Sequence, residues 1–181
     1  MDIPSHSTPR LTLRGFQLDD IDDLDKIVSD PDVIRYFPLS KPWPREVTKK
    51  WVEKHWSHWE QHNFGWWALV YRETDNLLGW CGLGVLDETG EVEVLYLLKK
   101  SHWDMGLATE AAQYSIDYAF QKLNLDSVIG LTHPDNIASQ KVLQKVGLTF
   151  TNEAQYFGMD LYKFLIEKQT YQTLISLKNQ L

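Results

Sequence analysis

The sequence predicts an α/β protein in which helices flank both faces of a mixed, mostly antiparallel sheet. Three observations predict this class. The chain has 181 residues, the length of a single domain, so we take residues 1–181 as one unit. Hydrophobic residues make up 43% of it, which is enough for a sizeable core. Three consecutive strand patterns precede a helix, a strand, a second helix and two more strands, an order typical of a mixed sheet.

The first elements are marked by apolar spacing and by prolines. Residues 10–16 alternate apolar and polar side chains and predict a strand. Pro31 ends or interrupts the helix that follows, and Pro44 opens a second helix that extends to about His62. The first helix is predicted from one apolar stripe, which consists of Leu18, Ile21, Leu24, Ile27 and Val28.

Polar turns separate the elements of the second half. Glycines from Gly79 to Gly84 lie inside a strand pattern and indicate a bulge or close packing. Gly147 is a helix stop signal, and the tail at 169–181 is expected to form a short helical extension. The predicted elements are strands at 64–73, 77–87 and 91–100, a helix to about Gln121, a strand at 127–132, a helix at 136–147, and strands at 148–155 and 159–168.

The charge balance argues against nucleic acid as a partner. The chain has 25 acidic and 18 basic residues and a net charge of -7, so its surface offers no electrostatic reason to bind phosphates along a strand. Aspartates crowd one short segment, where they either form a solvated helix face or attract a cationic substrate. They are Asp19, Asp20, Asp22, Asp23, Asp25, Asp30 and Asp32.

Nothing in the sequence predicts a leader or a membrane segment. The first residues lack a basic start and an apolar stretch, and no apolar run approaches the roughly 20 residues of a membrane helix. We therefore expect a cytoplasmic protein with no membrane partner. The single cysteine, Cys81, lies in an apolar strand pattern and is expected to be a buried, inert thiol.

The stretch Trp-Asp-Met-Gly-Leu-Ala-Thr-Glu-Ala-Ala, residues 103–112, has one glycine between a strand pattern and an alanine-rich helix pattern. A helix N-terminus exposes unpaired N–H groups, and a glycine lets an anion approach the backbone closely. Gly106 therefore predicts either a plain helix start or a binding turn for a diphosphate. A P-loop is excluded because no Gly-Lys-Ser/Thr sequence occurs.

A second motif, Thr-His-Pro-Asp-Asn-Ile-Ala-Ser-Gln-Lys at residues 132–141, follows after a strand pattern. Together the two motifs resemble those of the GCN5-related N-acetyltransferase (GNAT) superfamily, and more narrowly of its RimJ/RimL-like branch, which acetylates ribosomal-protein N-termini. The resemblance covers nearly the whole chain. The turn departs from the family pattern, which often reads Trp-Gly-Lys-Gly or carries glutamine or arginine before its last glycine, whereas Trp103, Asp104 and Met105 precede Gly106 here.

The resemblance implies acetyl-CoA as the acetyl donor. Backbone N–H groups of the turn would hold its diphosphate, and the strand that contains Leu97 and Leu98 would pair with the pantetheine arm. Asn136 is expected to cap its helix and to contact this arm. Lys141 either reaches the 3′-phosphate or is solvated. The turn residues implied are Met105, Gly106, Leu107, Ala108 and Thr109.

The chemistry of amine acetylation requires a group that takes the amine proton. Glu93 matches the glutamate of the family strand and is the favoured base, and either it or Glu91 is expected to face the cleft. Both could instead be solvent-facing polar positions. Ser139 lies where the serine of the resembling branch could protonate the departing thiolate. The catalytic set implied is therefore Glu93, Ser139 and Asn136.

The acceptor is a primary amine, on a protein N-terminus or a small molecule. The first two helices are rich in tryptophan, which indicates core packing or an aromatic wall suited to a cationic or aromatic amine. His55, His58 and His62 share a helix pattern, but nearby ligands are lacking, so we expect no metal. The chain is expected to be a monomer or homodimer. A non-catalytic acyl-CoA-binding or sensing module is the alternative function.

Overall fold

Eight strands form one sheet in the computed structural model, which describes residues 2–38, 41–178 and 180. They lie in the order β1-β2-β3-β4-β5-β6-β8-β7, and β5 and β6 form the parallel pair while the other neighbours are antiparallel. The predicted mixed, mostly antiparallel sheet is confirmed. The strands are β1 (His6–Ser7), β2 (Leu11–Arg14), β3 (Trp66–Tyr71), β4 (Asn76–Val85), β5 (Val92–Leu98), β6 (Ser127–Thr132), β7 (Thr149–Tyr156) and β8 (Met159–Glu167).

Helices cover both faces of the sheet. One core cluster joins the first two helices to the face of the sheet that carries Trp80 and Leu97. The other joins the three later helices to the face that carries Cys81 and Val94. The helices are α1 (Asp20–Val28), α2 (Arg45–His62), α3 (Leu107–Gln121), α4 (Ile137–Lys145) and α5 (Lys168–Lys178), and a short 3₁₀ helix spans Lys100–His102.

The start of α1 corrects one expectation. Leu18 does not belong to the buried stripe, because it precedes the helix and is 67% exposed. The reason is Asp20, whose carboxylate accepts hydrogen bonds from the Gln17 N–H at 2.7 Å and from both terminal nitrogens of Arg14 at 2.7 Å. These bonds hold the turn before α1, so Leu18 remains outside the helix. The other four members of the stripe are buried.

Strand β4 contains the glycines that permit close packing, as predicted. A Cβ at Gly82 would lie 2.2 Å from the Gly65 carbonyl oxygen, and one at Gly84 would lie 1.9 Å from the Trp66 ring. The Trp66 indole therefore lies directly over Gly84, which is the register partner of Glu93 on β5. This packing places an aromatic ring beside the Glu93 side chain, since directly opposed residues share a face of the sheet.

The parallel pair determines where the sheet opens. Among the described residues, one pair aligns β5 with β6, and it is Glu93 with Ile129. Strand β5 nevertheless stays paired with β4 as far as Leu98. The strands β5 and β6 thus separate beyond Glu93, and the N-termini of α3 and α4, which follow these two strands, lie at the opening.

Candidate active site

A cavity of about 730 Å³ lies at the opening between β5 and β6. It brings together residues that are far apart in the sequence, from the end of β5, the starts of α3 and α4, and the connection between α1 and α2. Most residues of the expected catalytic and acetyl-CoA-binding sets line this one cavity. They are Leu97, Leu98, Gly106, Leu107, Ala108, Thr109, Asn136, Ser139 and Lys141.

Two expected site residues are not among the described residues that line the cavity. Met105 has a side chain that is 43% exposed, and its carbonyl oxygen accepts a hydrogen bond from Arg10 at 2.7 Å. Glu93 is 5% exposed and lies further back on β5, where that strand still pairs with β6. The cavity wall therefore includes Asp104 and Gly106 on either side of Met105, and on β5 it begins at Tyr96, three residues beyond Glu93.

The turn before α3 has the geometry that its glycine indicates. Gly106 is the N-cap residue of α3 and has a φ of 76°, in the left-handed region that favours glycine. A Cβ added there would have one neighbour within 4 Å among the described residues, a terminal nitrogen of Arg10 at 3.6 Å. The backbone of the turn is thus open towards a ligand, and the first N–H groups of α3 are free for an anion.

Arg10 holds this turn from a distant part of the chain. Besides its bond to the Met105 carbonyl, its Nε donates to Glu110 on the first turn of α3 at 2.7 Å. The backbone N–H of Arg10 and the hydroxyl of Thr8 donate to the other oxygen of Glu110, at 2.9 and 2.6 Å. Sequence reasoning did not identify Arg10, because these contacts span about a hundred residues and follow no local spacing.

The start of α4 forms a second helix N-terminus on the cavity. The Asn136 side-chain oxygen accepts a hydrogen bond from the Ser139 N–H at 3.2 Å. The predicted cap is therefore confirmed. Since both residues line the cavity, the cap also orients Ser139 towards it.

Tyr96 is a cavity residue that the sequence did not single out. Its hydroxyl lies 2.9 Å from Ser139 Oγ and donates to the Ser139 carbonyl oxygen at 3.1 Å. Burial raises the pKa of Tyr96, which keeps the hydroxyl protonated at neutral pH. A tyrosine in a strand is ordinarily a packing residue, and only the contact between β5 and α4 distinguishes this one.

Glu93 is a buried carboxyl group with an altered acidity. Burial raises its pKa to about 8, and a hydrogen bond from the backbone of Leu131 opposes this only in part. Two neighbours explain the desolvation, since the Trp66 ring covers the adjacent Gly84 and β6 pairs beside Glu93. A carboxyl group with this pKa exchanges a proton near physiological pH.

Glu91 has a different role from Glu93. It precedes β5 and accepts hydrogen bonds from the Lys163 ammonium at 2.6 Å and from the Tyr156 hydroxyl at 2.9 Å. These bonds lower its pKa against the opposing effect of burial. Residues two apart in a strand lie on the same face of the sheet, so alternation alone does not decide whether Glu91 or Glu93 faces the cleft. The two glutamates differ instead in their surroundings, since Glu93 is buried and Glu91 forms an ion pair.

The charges around the cavity offset one another. Asp104 lines the cavity near the Gly106 turn. Three cationic side chains also line the cavity, and they are Lys141, Lys145 and Arg35. The carboxylate that departs from the family pattern is therefore accompanied by cationic side chains across the cavity. At the rim, Asp32 and Lys100 form an ion pair.

The aspartate-rich segment is largely a set of ion pairs rather than free negative charge. Arg14 pairs with Asp20 in a half-buried bidentate contact, and the other contacts are exposed. They join Asp22 to Arg45, Asp23 to Lys26 and Asp32 to Lys100. Of the two alternatives, a solvated and paired helix face describes these residues better than an open cation-binding surface.

The tryptophans divide between core and wall. Trp43, Trp59 and Trp67 are buried, whereas Trp51, Trp56 and Trp66 are partly exposed on the α1–α2 side of the sheet. Three of the six rings thus complete the core, and only the other three could contribute to the aromatic wall of the hypothesis.

The helix α2 histidines make local hydrogen bonds. His55 donates from Nδ1 to the Trp51 carbonyl at 2.6 Å, and burial holds the pKa of His55 well below its usual value. His58 uses both ring nitrogens, one with the Phe64 carbonyl at 2.9 Å and one with the Val85 N–H at 3.1 Å. Among the described residues, no group of three or more side chains is arranged to hold a metal ion.

Cys81 is buried beneath α3, beside the Ser115 hydroxyl at 3.4 Å. Burial raises the pKa of its thiol to about 12. The expectation of an inert thiol fits this position, since a buried thiol with a raised pKa carries little thiolate.

Within the described residues, no helix combines the length and apolarity that crossing a membrane would require.

The sheet with one opened parallel pair, and a cavity between two helix N-termini, define an α/β protein with a cavity suited to an anionic ligand. The family comparison agrees, because the acetyltransferase (GNAT) domain family matches residues 10–149. The chain belongs to the GNAT acetyltransferase family, in which transfer from acetyl-CoA is general. An uncharacterized N-acetyltransferase, p20 of Bacillus licheniformis, is 33% identical over 171 residues, which cover 91% of this chain and 96% of p20.

Solved structures show the same fold with CoA bound. RimL, an α-N-acetyltransferase of a ribosomal protein, superimposes in complex with CoA with a TM-score of 0.77, at 15% identity over 93% of this chain and 98% of RimL. Spermidine N-acetyltransferase from Vibrio cholerae, in complex with CoA and spermine, has a TM-score of 0.74, at 17% identity over 91% of this chain and 99% of that protein. At these identities the likeness concerns the fold.

Proposed function

We propose that this protein is an N-acetyltransferase that transfers the acetyl group of acetyl-CoA directly to a primary amine in a ternary complex. One observation carries the proposal. Glu93 lies on the face of β5 that meets α1 and α2, whereas Tyr96 lies on the opposite face with Cys81 and α3. The proton acceptor Glu93 and the residue that holds the proton donor Ser139 thus lie on opposite faces of β5, so an amine and a thioester can approach the strand from its two sides.

The donor fits the cavity through the backbone. The edge of β5 that faces away from β4 beyond Glu93 suits the amides of a pantetheine arm near Leu97 and Leu98, where the Leu98 carbonyl oxygen already accepts a hydrogen bond from the Trp103 indole N–H at 2.7 Å. The N–H groups that follow Gly106 suit a diphosphate, because that position has no side chain and the helix end is positive. Lys141, on the opposite wall, suits the 3′-phosphate, and Asn136 suits the arm.

Proton transfer is assigned to residues at the inner end. In its ionised form, Glu93 takes a proton from the acceptor ammonium or from the attacking amine, directly or through water. The amine nitrogen forms a bond to the acetyl carbon, the bond from that carbon to sulfur breaks, and the sulfur leaves as a thiolate. The Ser139 hydroxyl supplies a proton to this thiolate and regains one from solvent water, Glu93 passes the proton that it took to solvent, and Tyr96 holds the Ser139 hydroxyl in place. Backbone N–H groups of β5 are suited to stabilise negative charge on the acetyl oxygen.

The acceptor is a protein N-terminus or a small-molecule amine. The motifs of the turn and of α4 favour the RimJ/RimL-like branch and hence a protein N-terminus. A polyamine is the competing acceptor, because the fold also serves a spermidine N-acetyltransferase. On either acceptor, the half-exposed ring of Trp66 beside Glu93 would contact the cationic group before it loses its proton.

A screen of acceptors tests the proposal. The purified protein is incubated with acetyl-CoA and with N-terminal peptides, polyamines and simple amines, and release of CoA thiol is followed together with the mass of the acceptor. We expect one class of amine to release CoA and to gain one acetyl group. Glu93→Gln is the matched control, and it should lower release while CoA binding persists.

The outcomes separate the two candidate functions. Binding of acetyl-CoA without transfer to any amine class would favour the non-catalytic acyl-CoA-binding module. CoA release that is the same in the wild type and in Glu93→Gln would remove Glu93 as the base and leave the proton to another group or to water.

A further inference from the structure

The diphosphate turn has no basic side chain of its own. Residues 103–106 are Trp, Asp, Met and Gly, so the turn itself contributes one carboxylate and no cation. A diphosphate bound there would be held by N–H groups next to Asp104. The negative charge of Asp104 would repel the diphosphate and weaken its binding. Something outside the turn must fix its geometry and offset this charge if the ligand binds well.

Arg10 fixes the geometry of the turn, and its guanidinium, which is paired with Glu110, brings a cation to it in addition to the lysines across the cavity. One terminal nitrogen donates to the Met105 carbonyl at 2.7 Å, and this bond directs that carbonyl towards the guanidinium. The other terminal nitrogen lies 3.6 Å from the place that a Cβ on Gly106 would take. The Arg10 side chain is 42% exposed, so its charge acts at the surface of the turn rather than inside the core.

Glu110 anchors Arg10 in this position. Its side chain is 14% exposed, and its carboxylate accepts bonds from the Arg10 Nε, the Arg10 backbone N–H and the Thr8 hydroxyl. One oxygen accepts from the Arg10 backbone N–H and the Thr8 hydroxyl, and the other accepts from the Arg10 side chain. Since Glu110 lies in the first turn of α3, the network ties the segment before β2 to the helix that begins at the diphosphate turn.

We propose that Arg10 is a positioning residue for the diphosphate of the acetyl donor, which it serves by holding the Met105 carbonyl and by placing a cation beside Gly106. This inference rests on the proposed function. It predicts that Arg10 matters only for donors that contain a diphosphate. A purely structural Arg10 would affect every donor alike.

Two ligands and two arginines provide the test. Binding of CoA, which contains the diphosphate, and of acetyl-pantetheine, which lacks it, is measured by titration for the wild type, Arg10→Met and Arg72→Met. Arg72 is the matched control, because it donates to the Thr8 and Pro9 carbonyls in the same N-terminal segment but does not touch the turn. Thermal unfolding of each variant is recorded alongside.

We expect Arg10→Met to raise the Kd of CoA about tenfold, the effect of losing a charge-assisted hydrogen bond, with little change for acetyl-pantetheine. Arg72→Met should leave both Kd values within about twofold. If Arg10→Met does not fold, Arg10→Lys replaces it and should weaken CoA binding less, because it keeps the charge but loses the fork.

Equal weakening of both ligands by the Arg10 variant, or no weakening of either, would overturn the inference. Wild-type protein that binds no CoA would overturn the proposed function together with it. The wild-type titration alone distinguishes that failure from a failure of the Arg10 assignment.

Discussion

The Tyr96 hydroxyl lies 2.9 Å from Ser139 Oγ and 3.1 Å from the carbonyl oxygen of the same residue. This contact joins β5 to the first turn of α4 and so connects the two walls of the cavity at its inner end. Since Asn136 caps the same turn, Ser139 is held from both sides. Together the three residues fix one hydroxyl at the place assigned to the donor sulfur.

The first prediction concerns this pair. Ser139→Ala and Tyr96→Phe should each lower kcat about tenfold or more, because the leaving thiolate loses its proton source or the residue that orients it. The double variant should be little worse than the poorer single variant, since both act through one hydroxyl. Steady-state kinetics with a saturating acceptor measures this. Tyr118→Phe, a half-buried tyrosine on α3, is the control and should be near wild type.

The second prediction concerns the pH dependence of catalysis. Glu93 has a pKa of about 8 and must be ionised to accept a proton, so kcat/KM should rise with pH and level off above about 8. Glu93→Gln should remove this inflection and lower turnover far more than it changes the Kd of acetyl-CoA.

The acceptor amine also titrates, which the experiment must separate from Glu93. Rates are therefore measured with acceptors of different amine pKa. An inflection that moves with the acceptor belongs to the amine, and one that remains near pH 8 belongs to Glu93. If every inflection follows the acceptor, Glu93 is not the base.

The third prediction concerns stability. The pKa of Glu93 is raised on folding from 4.5 to about 8, so the native state binds the extra proton between these values. Stability should therefore fall as pH rises from about 4.5 to 8, by up to about 1.4 kcal/mol per pH unit. Glu93→Gln has no such proton to lose. Its unfolding free energy relative to the wild type should increase with pH over this window, as denaturant titrations at pH 5 and pH 8 would show. Parallel pH curves for the two proteins would contradict this account.

The fourth prediction concerns Gly106. Gly106→Val should abolish measurable CoA binding, because a branched side chain would fill the phosphate site and the φ of 76° disfavours it. Gly158→Val is matched in backbone strain, since Gly158 has a φ of 72° and a Cβ there would have no described neighbour within 4 Å. It lies in the turn between β7 and β8, away from the cavity lining. A Gly106 variant that binds CoA like the Gly158 variant would refute the phosphate-turn assignment.

Sequence patterns anticipated the elements well, because local signals mark them. The proline before α2, the glycine before α3 and the asparagine before α4 each act within one turn of chain. Pro44, Gly106 and Asn136 accordingly precede helices that begin at Arg45, Leu107 and Ile137. Most of the cavity lining followed from them, since the chain around a helix start is continuous.

The residues that the sequence missed act through long-range contacts. Tyr96 reaches α4 across 43 positions and Arg10 reaches the turn across 95, and no periodicity encodes either distance. Leu18 was placed wrongly because an ion pair at Asp20 overrides the apolar spacing. The acidity of Glu93 depends on the Trp66 ring over Gly84, a contact between β3 and β4 that a strand pattern does not reveal.

Calorimetric titration of the purified protein with acetyl-CoA tests the central claim most directly. The account predicts saturable binding of one acetyl-CoA per chain at micromolar concentration, lost in Gly106→Val and retained in Glu93→Gln. Even a Kd of about 1 mM gives a detectable signal when acetyl-CoA is present at about 1 mM. No detectable binding by the wild type at this concentration would contradict the central claim.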